Sequence, residues 1–154
     1  MYAMQVNLTG KHVVIIGGGR VAYRKVQQLL KEDMHAITII SKTFLPEFFA
    51  ITHANLKLIT KCYDANDIKN ANLIIAATDD KEVNNQVAKD AHIDQWVNNV
   101  SDKEKSDFYN VSQFTVDNVT VQISSEGTDY HKVKTLTTEI KEYLNCSDEE
   151  DIND

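Results

Sequence analysis

The stretch His12-Val13-Val14-Ile15-Ile16-Gly17-Gly18-Gly19-Arg20-Val21-Ala22 decides the fold. A short apolar run ends in three glycines and passes straight into a segment with helical spacing. Gly17 suits a tight turn. Gly19 lacks the Cβ that would keep a pyrophosphate off the backbone, and Ala22 lets the following helix pack closely on the strand. The start of that helix offers N–H groups and a partial positive charge to phosphate. In a strand–turn–helix setting, G-x-G-x-x-A is the fingerprint of a bound dinucleotide; without a ligand it is a tight turn between strand and helix.

The same alternation extends outward from the glycines. Apolar runs at residues 12–16, 36–40, 56–60, 73–77 and 96–100 alternate with helical patterns. Ala22, Val26, Leu29 and Leu30 share one face of a first helix. Pro46 starts a short second helix with Phe48, Phe49 and Ile51, and Asp79 or Asp80 caps a third with Val83, Val87, Ala88 and Ala91 inward. This predicts an α/β fold, a Rossmann-like doubly wound parallel sheet. Strands four and five extend the sheet beyond strand one, so ligand belongs at the carboxyl ends of strands one and four.

After residue 110 the pattern changes. Gln113–Val116 and Val119–Ile123 flank the turn pair Asp117-Asn118, which reads as a β-hairpin. A last helix carries Val133, Leu136, Ile140, Tyr143 and Leu144 on one stripe. Hairpin and helix hold too little core to stand alone and need the first domain or a partner chain. The expected division is a dinucleotide-binding Rossmann domain over 1–110, a small hairpin-plus-helix region over 111–146, and an acidic disordered tail over 147–154.

Composition narrows the function. Among 154 residues the net charge is −7, which argues against nucleic acid as the main partner. No run approaches a membrane span and the N-terminus lacks a signal-peptide core, so a soluble cytoplasmic protein with no membrane association is expected. Cys62 and Cys146 lie far apart and read as ordinary thiols. His12, His35, His53, His92 and His131 show no metal-ligand spacing, so no metal site is expected.

Strand two runs into Ser41-Lys42-Thr43, without the acid that often binds the adenine ribose. Ser41 or Thr43 can bond a ribose hydroxyl and Lys42 can tolerate a 2′-phosphate, or the three form a polar loop. Ala76-Ala77-Thr78-Asp79-Asp80 closes strand four with small residues, and Thr78 and Asp79 are placed to bond a nicotinamide ribose, to cap the helix, or both. Asn84 is either a polar contact on the next helix or a solvated side chain, and the second reading is preferred. Beyond strand five, Asp102 is the general-base candidate by position, with a loop-opening Asx turn as the alternative. Ser124-Ser125-Glu126-Gly127-Thr128 offers hydroxyls and backbone N–H groups to an anion, or simply connects strand to helix.

Gly17-Gly18-Gly19-Arg20-Val21-Ala22-Tyr23-Arg24-Lys25 together with Ala76-Ala77-Thr78-Asp79-Asp80-Lys81-Glu82-Val83-Asn84 resembles the precorrin-2 dehydrogenase/sirohydrochlorin ferrochelatase family, which includes the N-terminal module of siroheme synthase. The hallmarks G-G-G-x-V-A-x-R-K and A-A-T-D-D-x-x-V-N match at every fixed position. Asn98 through Val100 is similar to the family's N-V-V, and Ser124-Ser125-x-Gly127-Thr128 to its S-S-G-G-T-S; the resemblance covers roughly residues 5–144. It implies NAD-dependent oxidation of precorrin-2 to sirohydrochlorin, a homodimer built through the region after the Rossmann domain, and, in some members, iron insertion. It also implies contacts from Gly17, Gly19, Arg20, Val21, Lys42 and Thr43 to NAD, and from Asn98, Ser124, Ser125 and Gly127 to the tetrapyrrole. The family's catalytic aspartate directly follows N-V-V; here Ser101 stands there and Asp102 comes one residue later. Much of the family's helical C-terminal region is missing after Leu144, which bears on the substrate cleft and on metal insertion.

The reading is therefore an NAD-dependent precorrin-2 dehydrogenase with Ser101 and Asp102 as its catalytic candidates. A polycarboxylate substrate meeting an acidic protein needs local cations, for which Arg20, Arg24, Lys103, Lys105, His131 and Lys132 are candidates. Two rivals remain: a regulatory NAD-binding dimer of the transporter-gating type, and a family member that binds tetrapyrrole or NAD without turnover.

Overall fold

The computed structural model describes residues 3–150, with side chains through residue 145. The chain divides into two units, one spanning Met4–Tyr109 and the other covering residues 110–150 together with Ala3.

The first unit is a parallel sheet of β1 (His12–Ile16), β2 (Ala36–Ser41), β3 (Leu56–Thr60), β4 (Leu73–Ala76) and β5 (Trp96–Asn99), in the order β3-β2-β1-β4-β5. The order reverses between β1 and β4, so their carboxyl ends splay apart into a crevice. Central β1 is apolar at successive positions because both of its faces are covered. Val13 and Ile15 join the core that holds Ala22 and Val26 of helix α1 (Arg20–Leu29). Val14 and Ile16 join the opposite core, which holds Val87 of α2 (Lys81–Asp90). Leu29 and Leu30 pack against the first core, and Val83, Ala88 and Ala91 against the second; Ala91 lies just past the end of α2.

The crossover from β2 to β3 carries the short helix expected at Pro46, in its 3-10 form. Pro46–Ala50 forms a single 3-10 turn rather than an α-helix. So few residues cannot repay the cost of nucleating an α-helix, and proline contributes no N–H donor. The turn buries Phe48 edge-on against Tyr23 and Phe44, at centroid distances of 5.2 and 5.4 Å, while Phe49 stays exposed. Strands four and five each end one residue earlier than their apolar runs suggest.

The second unit contains an antiparallel hairpin, β6 (Ser112–Val116) and β7 (Val119–Ile123), and helix α3 (Tyr130–Glu150). Asp117 and Asn118 both have left-handed φ values, 47° and 64°, as the mirror-image hairpin turn requires. Within this unit the Ser112 and Thr137 hydroxyls meet at 2.9 Å. No residue from 110 to 145 is fully buried. Val133, Leu136, Ile140 and Leu144 are half-buried, whereas Tyr143, expected on the same stripe, is exposed. The helix continues to Glu150, so residues 147–150 extend it rather than beginning a disordered tail. Residues 151–154 and the Cys146 side chain lie outside the described part.

Candidate nucleotide cleft

The glycine turn is held from both sides. Just past Ile16, the last residue of β1, the Gly17 N–H donates to the Ile40 carbonyl at 2.8 Å, and the Ala77 N–H donates to the Ile16 carbonyl at 2.7 Å. Gly17 has φ +129°, and a Cβ there would collide with the Ala77 carbonyl. Gly18 is equally constrained, although the sequence gives no special reason for it. A Cβ would strike the Thr43 carbonyl and approach the Phe44 ring and Ser41 Oγ at 2.9 Å. Gly19 differs: nothing lies within 4 Å of where its Cβ would be. Its glycine is explained by space kept open beside the start of α1, where Gly19 provides no side-chain cap. A dinucleotide pyrophosphate fits that cradle, because unpaired first-turn N–H groups favour an anion.

The cradle opens into a cleft of about 820 Å³ at the carboxyl ends of β1, β2, β3 and β4. Gly17, Gly19, Ser41, Lys42, Thr43, Thr78 and Asp79, all picked out from sequence, line it together. Arg20 and Val21 open α1 and are exposed. Sequence reading missed the third wall, Lys61-Cys62-Tyr63 after β3. Its only advance signal was position, directly beyond an apolar run beside strand two. The Lys61 N–H donates to the Ser41 carbonyl at 2.9 Å, which ties the two strand ends together. Lys61 also pairs with Asp67 at 2.6 Å, and this pairing raises its pKa and keeps it charged. Tyr63 donates to Asp90 at 2.9 Å; burial and that bond hold its phenol well above the usual range.

Asn84 corrects the sequence reading most clearly. It is fully buried, not solvated. Its Oδ1 accepts from the Thr78 N–H at 3.0 Å and from the Thr78 hydroxyl at 2.8 Å. Its Nδ2 donates to the Thr78 carbonyl at 3.1 Å and to Ser101 Oγ at 3.3 Å. One amide therefore braces the cleft wall and ties it to the loop beyond β5. The signal was available: Asn84 stands three residues before Val87, on the inward stripe of α2. Asp80 is the cap of that helix, accepting from the Glu82 N–H at 2.9 Å, while Asp79 faces the cleft.

The β5 loop holds the two catalytic candidates outside the residues that line the cleft. Ser101 donates through its hydroxyl to Asn99 Oδ1 at 2.7 Å. Asp102 accepts from the Glu104 N–H at 3.1 Å, opening a 3-10 turn over Lys103–Lys105, and pairs with Lys105 at 3.1 Å. The hydrogen bond from Lys105 is the main reason its carboxyl lies below the ordinary carboxylate range. Asp102 is thus ionised at neutral pH and occupied in capping. Lys105 also donates to Asn85, and Lys103 lies over the Tyr109 ring at 5.1 Å, so both candidate cations have local partners. Asn98 is buried, donating to the Phe108 carbonyl at 2.9 Å, and its Oδ1 has no partner.

In the second unit, Ser124 Oγ accepts from the Glu126 N–H at 3.1 Å and Ser125 Oγ accepts from the Asp129 N–H at 3.0 Å. Asp129 caps α3 through the Lys132 N–H at 2.8 Å. Gly127, with φ +75°, closes this turn. The serine hydroxyls are therefore engaged in the strand-to-helix connection.

A family described as "Putative NAD(P)-binding" matches residues 4–112, most of the chain. Precorrin-2 dehydrogenase of Bacillus subtilis (strain 168) is 32% identical over 145 residues, covering 94% of this chain and 89% of that protein. The chain belongs to the precorrin-2 dehydrogenase family. Precorrin-2 dehydrogenase of Priestia megaterium is 30% identical, with 97% of this chain and 72% of the relative covered. Siroheme synthase of Pseudoalteromonas translucida (strain TAC 125) is 37% identical over 79% of this chain, but over only 26% of its own length. Among solved structures, "SirC, precorrin-2 dehydrogenase" superposes with a TM-score of 0.78 at 30% identity, covering 96% of this chain and 71% of that one. Family membership joins the glycine cradle to an expected dehydrogenase chemistry, which a transporter-gating module would not explain. Among the described residues, no helix is long and apolar enough to cross a membrane.

Proposed function

We propose that this chain is an NAD-dependent precorrin-2 dehydrogenase, converting precorrin-2 to sirohydrochlorin in siroheme biosynthesis. The observation that carries this reading is the open space at Gly19 at the head of an 820 Å³ cleft, in a chain similar along nearly its whole length to precorrin-2 dehydrogenases. The reaction removes a hydride and a proton from precorrin-2. Bound NAD supplies the hydride acceptor, and that is the hard chemistry.

The chain's own residues bind, orient and accept the proton. Gly17, Gly19 and the first turn of α1, opened by Arg20 and Val21, hold the pyrophosphate. Ser41, Lys42 and Thr43 meet the adenosine ribose, while Thr78 and Asp79 meet the nicotinamide side. Asn84 holds Thr78 in place, so the reacting edge of the macrocycle meets a fixed surface. Asp102, kept ionised by Lys105, takes the proton, and Ser101 orients the acceptor or a relaying water. Asn98 of the first unit is a candidate for tetrapyrrole contact, and so, separately, are Ser124, Ser125 and Gly127 of the second.

The half-buried apolar stripe of α3 and the exposed Val119 of the hairpin suit contact with a second copy, and the lack of any fully buried residue among the described residues 110–145 supports a homodimer. The working compartment is the cytoplasm. Anaerobic incubation with precorrin-2 and NAD⁺ tests the assignment: sirohydrochlorin absorbance rises with enzyme and NAD⁺ present and stays flat without either. No rise with both present overturns it.

A further inference from the structure

We propose that the adenosine end of the cleft accepts a 2′-phosphate, so that the chain binds NADP⁺ as well as NAD⁺, with Lys42 as the specificity-determining residue. The inference rests on the assignment of this cleft to a nicotinamide dinucleotide. Selection against NADP⁺ in such folds comes from an acid at the end of the second strand, which bonds the ribose diol and repels phosphate. Here β2 ends in Ser41 and continues into Lys42 and Thr43, all lining the cleft.

The neighbouring strand adds to this. Ser41 and Thr60 stand in register, and the Lys61 N–H donates to the Ser41 carbonyl, so Lys42 and Lys61 follow adjacent strand ends. Both belong to the cleft wall. Lys61 shares its charge with Asp67 and so assists rather than leads. The carboxylates that line the cleft, Asp79 and Asp80, belong to the connection after β4, not to the β2–β3 side. Asp80 is further occupied in capping α2. The Lys42 ammonium and two hydroxyls, assisted by a Lys61 held in its pair with Asp67, form a setting for a phosphate monoester on the side of the cleft that no acid lines.

Calorimetric titration of the full chain with NAD⁺, NADP⁺ and 2′,5′-ADP tests this. Wild type binds NADP⁺ within about thirtyfold of NAD⁺, and 2′,5′-ADP competes for the site. Lys42→Glu moves the NADP⁺/NAD⁺ affinity ratio at least about tenfold toward NAD⁺. If NAD⁺ binds and NADP⁺ falls outside that range, the inference fails while the cofactor reading stands. An unchanged ratio in a folded Lys42→Glu removes Lys42 from the selection. If neither dinucleotide binds, the cofactor reading itself falls.

Discussion

Replacing Asn84 with alanine removes four hydrogen bonds from a side chain that water does not reach. The Thr78 hydroxyl has an alternative acceptor in the Asp80 carbonyl at 2.9 Å, so its loss is partly covered. The bond to Ser101, at 3.3 Å, is the longest and weakest of the four. The Thr78 N–H and carbonyl lose partners at 3.0 and 3.1 Å with nothing to replace them. At about 1 kcal/mol per net bond, with the added cost of burying unpaired backbone groups, the variant should lose about 2–4 kcal/mol. Because Thr78 lines the cleft, NAD⁺ affinity should fall with it. Urea unfolding with an unchanged slope reads the first effect and calorimetric titration the second. Asn84→Asp refines the test. Its carboxylate keeps both bonds accepted by Oδ1 but opposes the Thr78 carbonyl, and a proton gained at low pH restores a donor. Its deficit relative to wild type should therefore shrink as pH falls. A loss below about 0.5 kcal/mol in Asn84→Ala would refute the bracing role.

Further outcomes follow from the same geometry. Gly19→Asp puts a carboxylate into the open cradle and should abolish NAD⁺ binding in a folded protein; calorimetry showing wild-type affinity would move the cofactor elsewhere. Asp102→Asn should cut sirohydrochlorin formation by about 10²-fold or more if Asp102 takes the proton, and a rate within about threefold of wild type assigns it to capping alone. Ile140→Lys on the α3 stripe should convert a dimer to a monomer in light scattering, and a wild type already monomeric at micromolar concentration contradicts the dimer. Burial lowers the Lys25 pKa to about 8, with Arg24 adding to the effect. The unfolded chain therefore holds more protons between pH ~8 and the ordinary lysine value, and stability rises through that window. Lys25→Met should be more stable than wild type near pH ~7, with a gain that fades above pH ~8; a gain that does not vary with pH refutes this account.

The sequence made the sheet order and both covered faces readable because β1 and β4 are continuous apolar runs and Val13/Val14 alternation sends neighbours into opposite cores. Gly17 and Gly19 were readable because their reasons are local: a positive φ and an open cradle. Gly18 was not, since what forbids its Cβ is the Thr43 carbonyl, reached only through folding. Lys61 and Tyr63 escaped for the same reason, as nothing local says that β3 ends beside β2. Asn84 was misread because a polar residue on a helix is usually solvated, and its partner Ser101 is distant in sequence. The short second helix was legible from Pro46 but its 3-10 type was not, because proline marks the start of an α-helix and of a 3-10 helix equally well.

The most direct measurement is product stoichiometry. The chain is incubated anaerobically with precorrin-2 and NAD⁺, and sirohydrochlorin and NADH are followed together, with Gly19→Asp as the control. The account predicts equimolar appearance of both products, abolished in the control. NAD⁺ binding without formation of either product would contradict the dehydrogenase and leave a chain that holds its ligands without turnover.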